Sequence, residues 1–142
     1  MSDRAIALRN DRKEVARLGL LAEQFGADNG LSTDDVLAIN LVLDEIVINV
    51  IAHGYDDDAE HLIHVRLGRK DQTVTVEVED DGRPFNPLDL PTPNFDLPLE
   101  ERPIGGLGVH IVRSMMDTVD YRRDGDRNVL TMTRTLDLAR QD

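Results

Sequence analysis

Residues 36–52 read VLAINLVLDEIVINVIA, and this stretch decides the fold. It is apolar on nearly every side of a helix, which marks the buried central helix of a domain rather than a surface helix with one greasy stripe. Glu45 and Asn49 interrupt it four residues apart, so they share one face, and His53 continues the row. Residues four apart on a helix are commonplace, and such a row often simply faces water. Here the flanking residues are Ile, Val and Leu, so a polar face this narrow suggests the wall of a pocket.

Upstream, Ser32 stands as N-cap, with Asp34 and Asp35 in the first turn where the helix dipole favours carboxylates; Gly54 is placed to stop the helix after His53. Further upstream, residues 4–9 (RAIALR) predict a short edge strand. Residues 11–26 carry Val15, Leu18, Leu21, Ala22 and Phe25 at helical spacing, with Gly26 and Asp28-Asn29-Gly30 ending the helix. Downstream, 62–68 and 73–79 predict strands joined through Arg69-Lys70-Asp71-Gln72. In the second of them Val74, Val76 and Val78 alternate with Thr75, Glu77 and Glu79, as in a sheet with one buried face. Residues 107–116 predict a helix opening on glycines, and 118–123 with 128–136 a hairpin around Asp124-Gly125-Asp126. The order β, α, α, β, β, loop, α, β, β predicts an α+β two-layer sandwich, with helices on one face of a mostly antiparallel sheet.

Composition narrows the function. The 142 residues carry a net charge of −12, which disfavours nonspecific binding to a nucleic-acid backbone, since that relies on Lys and Arg displacing counterions. With no cysteine, disulfide scaffolds, thiolate zinc sites and cysteine nucleophiles are excluded. No apolar run is read as approaching the roughly 20 residues of a membrane helix, and the first residues lack the apolar centre of a secretory signal, so a cytoplasmic protein of one domain over 1–142 is expected. All six prolines lie between Pro84 and Pro103, an irregular segment too long for an ordinary turn.

Two further elements bear on chemistry. The strand at 76–79 runs into Asp80-Asp81-Gly82, which reads as a plain turn or as a carboxylate that accepts from an exocyclic amino group, with Gly82 admitting a flat ring. Gly105-Gly106-Leu107-Gly108 opens the last helix, either as a tight loop end or as exposed N–H groups that hold a phosphate. Two phosphate motifs fail here. Neither Lys13 nor Lys70 follows a glycine as the P-loop requires, and the dinucleotide fingerprint would need its third glycine at Ile111. His61 and His64 are sent to opposite faces of a strand and His110 stands alone, so no histidine metal site is expected; nor is there a G-x-S-x-G nucleophile elbow.

In order and spacing, LDEIVINVIAHGY (43–55), VEVEDDGRPFNP (76–87) and GGLGVHIVRSMMD (105–117) resemble the N, G1 and G2 boxes of the ATP-binding fold shared by gyrase, heat-shock chaperones, histidine kinases and MutL. Within that superfamily the chain most resembles the anti-sigma factor serine kinases, over roughly residues 5–136. The resemblance implies ATP as substrate and Mg²⁺ as cofactor. Asn49 would coordinate Mg²⁺, and Glu45 would act as general base on an attacking serine hydroxyl. Asp80 would accept from the adenine amino group, with Gly82 beneath the ring. Gly106 and Gly108 would donate to phosphate, with Leu107 and Val109 beside them in the ATP-binding segment. Residues 83–105 would form the ATP lid, with Arg102 touching the γ-phosphate. Pro84 departs from the second glycine of many histidine kinases, and the lid has no lysine. The partners implied are a sigma factor and an anti-sigma factor antagonist of the STAS type, with no direct nucleic acid or membrane contact. A homodimer is also implied, its first strand and helix as contributors. The same motifs also suit an adaptor that binds nucleotide without transferring phosphate, or a detached histidine-kinase-like module.

Overall fold

The computed structural model describes residues 3–89 and 106–136, with the side chains of 106–108 set aside. Five strands form one antiparallel sheet: β1 (Arg4–Arg9), β2 (Leu62–Lys70), β3 (Thr73–Asp80), β4 (Thr118–Asp124) and β5 (Arg127–Thr135), in the order β1-β2-β3-β5-β4. Three helices cover one face: α1 (Ala16–Asn29), α2 (Thr33–His53) and α3 (Gly106–Met115). The expected α+β sandwich is what forms.

The core lies where the apolar face of the sheet meets the helices. Val74, Val76 and Val78 of β3 are buried, in register with Leu67 and Val65 on β2 and with Met132 and Leu130 on β5. From the helices come Leu18 and Phe25 of α1, Ile39, Leu43 and Ile46 of α2, and Val109 and Val112 of α3. Each such side chain stabilises the fold by about 1.5–3 kcal/mol relative to exposure.

α2 is the central helix, capped as the sequence predicts: Ser32 accepts from the Asp35 amide, and its hydroxyl donates to the Asp35 carboxylate. Asp35 also receives Arg134 of β5 at 2.9 Å, and Arg134 donates to the Met115 carbonyl at the end of α3, so one nearly dry ion pair ties α2, α3 and the sheet together. Four expectations need correction. The first concerns α2 itself, which is long and apolar enough to pass for a membrane-spanning helix, with mean hydropathy 1.8. Its acidic residues and its packing under two other helices make it the core helix of this domain instead. The second is the end of α1: Gly26 does not stop it. The helix runs through to Asn29 and is closed by Gly30 at φ 67°, while Gly26 lies where a Cβ would come within 2.3 Å of Val36 on α2. That glycine serves helix packing, and the left-handed glycine serves termination. The first turn of the expected 11–26 helix is a separate 3-10 turn, Arg12–Val15, capped by Asp11. The β2–β3 connection is tighter than expected, only Asp71 and Gln72 lying between the strands, with Asp71 at φ 54°.

Candidate functional site

α2 presents Glu45 and Asn49 one turn apart on one face, as the spacing predicts. Glu45 is half-buried; Asn49 is 5% exposed and makes no hydrogen bond among the described residues. Its amide tip still reaches solvent, so it stays open to a ligand, and its oxygen suits a hard cation such as Mg²⁺. Beside it, burial and then the charge of Glu45 push the carboxyl of Asp44 up from the ordinary range. His53, the third member of the row, is exposed and tilts its ring against Phe85 at 5.8 Å.

Asp80 ends β3 directly opposite Asn128 of β5. Its Oδ1 accepts from the Gly82 amide and from Asn128 Nδ2, both at 2.9 Å, while Oδ2 accepts nothing among the described residues. Burial pushes this carboxyl up, and Asp81 adds to that; the bonds from Asn128 and Gly82 and the nearby Arg123 oppose it. The carboxylate is thus held with one oxygen satisfied and one open to a donor.

The turn after Asp80 is pinned from two sides. From the hairpin, Asn128 Nδ2 also donates to the Arg83 carbonyl at 2.7 Å, its Oδ1 accepts from the Phe85 amide and the Tyr121 hydroxyl, and Arg123 donates to the Gly82 carbonyl at 2.8 Å. From α2, the Gly54 and His53 carbonyls accept from the Arg83 amide and Nε, each at 2.8 Å. A Cβ on Gly82 would lie 2.2 Å from the Gly54 oxygen. The glycine expected to admit a flat ring is therefore already required by the protein's own backbone. Past this turn, Pro87 and Leu88 are buried in a short 3-10 turn, Pro87–Asp89, so the first part of the expected lid packs on the domain. The remainder, with Arg102, lies outside the described residues.

α3 begins at Gly106, so Gly106, Leu107, Gly108 and Val109 form its first turn, where N–H groups have no partners within the helix. Val109 is buried, and α3 packs on α2. The end of α2 is thus bonded to the turn after Asp80, and α2 also packs on α3.

Asn128, Arg123 and His61 were missed by sequence reasoning. Asn128 left a signal, being a polar residue in the inward row Asn128, Leu130, Met132, all buried. His61 sits just before β2 with Nε2 2.8 Å from Asp57 and Nδ1 3.0 Å from Asp81, stacked on Tyr55 at 4.5 Å. Both carboxylates favour the imidazolium, the bond to Asp57 most, and its pKa is raised. Tyr55, whose hydroxyl is buried without a partner among the described residues, is pushed up by burial and by Asp80, Asp81 and Asp57. A cavity of about 620 Å³ lies beyond it, between the end of β1 and residues 57–60, and none of the expected site residues lines it.

Comparison with known proteins places this geometry. The family described as the histidine kinase-like ATPase domain matches residues 8–134. The chain is 26% identical over 95 residues to the serine/threonine-protein kinase BtrW of Bordetella bronchiseptica, covering 67% of each chain. It is 27% identical over 120 residues to the serine-protein kinase RsbW of a Bacillus cereus strain, covering 82% of this chain and 74% of that one. With RsbW of a Bacillus thuringiensis strain the identity is 27% over 105 residues, 71% of this chain and 65% of the relative. The matches thus span about two thirds to three quarters of these relatives' lengths. Among solved structures, the RsbU and RsbW domains of a Mycobacterium tuberculosis protein superpose with TM-score 0.70 at 17% identity, over 96% of this chain and 33% of that one. The histidine kinase domain of a blue-light activated kinase from Erythrobacter litoralis gives 0.55 at 19%, over 90% and 65%. Both likenesses are of fold. With nearly its whole length matched, from the end of the first strand to the end of the last, the chain belongs to the histidine kinase-like ATPase domain family.

Proposed function

We propose that this protein is an ATP-dependent serine kinase of a partner-switching system: an anti-sigma factor that binds a sigma factor and phosphorylates an anti-sigma factor antagonist of the STAS type on serine. The observation that carries the reading is the half-satisfied, buried carboxylate of Asp80, open on one oxygen, in the same domain as the unpartnered amide of Asn49. The names of the relatives, serine-protein kinases, support the reaction type.

In this reading Asp80 Oδ2 accepts the adenine amino group, with Gly82 at the edge of the ring. The first turn of α3, Gly106 to Val109, donates backbone N–H groups to the phosphates, aided by the helix dipole. Asn49 would hold Mg²⁺, which when bound would add neutralising charge on the triphosphate in a chain of net charge −12. Glu45 takes the proton from the serine hydroxyl as its oxygen bonds to the γ-phosphorus and the bond to ADP breaks. Residues 83–105 act as lid, with Arg102 on the γ-phosphate. In the same reading the protein works in the cytoplasm as a homodimer that touches neither nucleic acid nor membrane.

The test is to incubate the protein with labelled ATP, Mg²⁺ and antagonist proteins encoded near its gene. Label on a partner serine is expected. Nucleotide-dependent binding without label would make it an adaptor, and acid-labile label on histidine a detached histidine-kinase module; either result overturns the proposal. Glu45→Ala should abolish transfer and leave ATP affinity within about twofold, whereas Asp80→Asn should weaken ATP binding about tenfold or more, the loss of roughly one charge-assisted hydrogen bond.

A further inference from the structure

Asn128 is 3% exposed and its carboxamide uses both ends. Nδ2 donates to Asp80 Oδ1 and to the Arg83 carbonyl; Oδ1 accepts from the Phe85 amide and the Tyr121 hydroxyl. The orientation is fixed by the backbone. Turned over, the amide would set its NH₂ against the Phe85 N–H and its oxygen against the Arg83 carbonyl, two donor–donor and acceptor–acceptor clashes. So the group that faces Asp80 is necessarily a donor.

Its consequence lies in what Asp80 has left to offer. With the Gly82 amide and Asn128 Nδ2 both on Oδ1, that oxygen is occupied, and the exposed chemistry of the turn reduces to lone pairs on Oδ2. A single acceptor matches one exocyclic amino group. It does not match guanine: the two-donor edge of N1–H and the 2-amino group takes both oxygens of a carboxylate, and the 6-oxo group needs a donor that an ionised carboxylate lacks. Arg123, which also approaches the turn, is committed to the carbonyls of Gly82 and Gly125.

Resting on the nucleotide-binding reading above, we infer that Asn128 is a positioning and specificity-determining residue, which by occupying Oδ1 of Asp80 makes the site select a 6-aminopurine nucleotide over a 6-oxopurine one. It acts through Asp80, from a strand that the three sequence boxes do not include.

The test compares Asn128→Asp with the wild type by calorimetric titration of ATP and GTP between pH 5 and pH 8. This substitution keeps the oxygen that accepts from Phe85 and Tyr121 and removes the donor to Asp80. The wild type is expected to prefer ATP by about 100-fold or more; the other ionisable groups around Asp80 are its neighbour Asp81, Arg123 of β4, Tyr55 after α2 and His61, which bonds Asp81 and whose charge changes with pH in both proteins alike, so the variant is read against the wild-type profile. In Asn128→Asp two carboxylates face each other and share a proton. The preference should narrow at least about tenfold near pH 8, and ATP affinity should recover as pH falls and the new carboxyl becomes a donor to Asp80. A merely structural role would not produce that recovery. Thermal melts check folding; where Asn128→Asp melts without cooperativity, Tyr121→Phe, which frees one side of the carboxamide, should narrow the preference about threefold. An unchanged ATP/GTP ratio with a flat pH profile in folded Asn128→Asp, or an unchanged ratio in Tyr121→Phe where that variant carries the test, overturns the inference alone. Absence of ATP binding by the wild type overturns the nucleotide reading and this inference with it.

Discussion

The Gly54 carbonyl oxygen and the α-carbon of Gly82 are so close that a side-chain carbon on Gly82 would stand 2.2 Å from that oxygen, while the next amide, Arg83, donates to it at 2.8 Å. The end of the central helix and the turn after β3 are one joint. Backbone on both sides leaves nothing soft to move. Gly82→Ala should therefore cost about 1–3 kcal/mol, the range for overpacking a tight site, and should weaken ATP binding through displacement of the Asp80 turn. Denaturant melts with and without ATP measure both effects; an unchanged midpoint would show that the joint yields freely.

Asn49 predicts the opposite separation of stability from binding. Its amide makes no hydrogen bond among the described residues, so Asn49→Ala removes no bond and should leave the metal-free melting midpoint within about 0.5 kcal/mol or raise it. In the wild type, added Mg²⁺ should strengthen ATP binding; in the variant that gain should vanish. Titration of ATP in Mg²⁺ and in EDTA separates the two, and a variant that keeps the full Mg²⁺ gain would remove Asn49 from the cation site.

His61 gives a pH dependence whose sign is set by its two carboxylates. Its folded pKa lies above the usual 6.5 because Asp57 and Asp81 favour the charged ring. The stabilisation is therefore fully present below pH 6.5 and is lost as pH rises through the raised value. Melting temperature should fall over that window in the wild type and stay flatter in His61→Gln, which cannot carry the charge. A fall of equal size in both proteins would place the titrating group elsewhere.

The helices and strands were legible because their patterns are dense: the largely apolar run of α2 and the valine alternation of β3 admit few other readings. Gly26 misled because a glycine in a helical pattern signals termination, whereas its use here, making room for Val36, depends on how two helices cross. The candidate residues proposed to touch ligand were marked in the sequence, Glu45 and Asn49 by their apolar neighbours and Asp80 by its place at a strand end before a glycine. The residues that hold them were not. Asn128 reaches Asp80 from 48 positions away, a contact set by strand register, and His61 becomes a clasp only when residues 57 and 81 are brought to either side of it. Spacing along the chain marks Asn128 as inward-facing but names neither residue's partners.

The placement of β5 between β3 and β4 has a temporal meaning. During synthesis the Asp80 turn leaves the ribosome well before residue 128 exists, so a nascent chain holds its acceptor without the amide that disciplines it. On the inference above, nucleotide discrimination would be acquired last, when the final strand slots in beside β3. A chain cut between residues 118 and 127 would retain all three sequence boxes and still lack the residue inferred above to tell one purine from another.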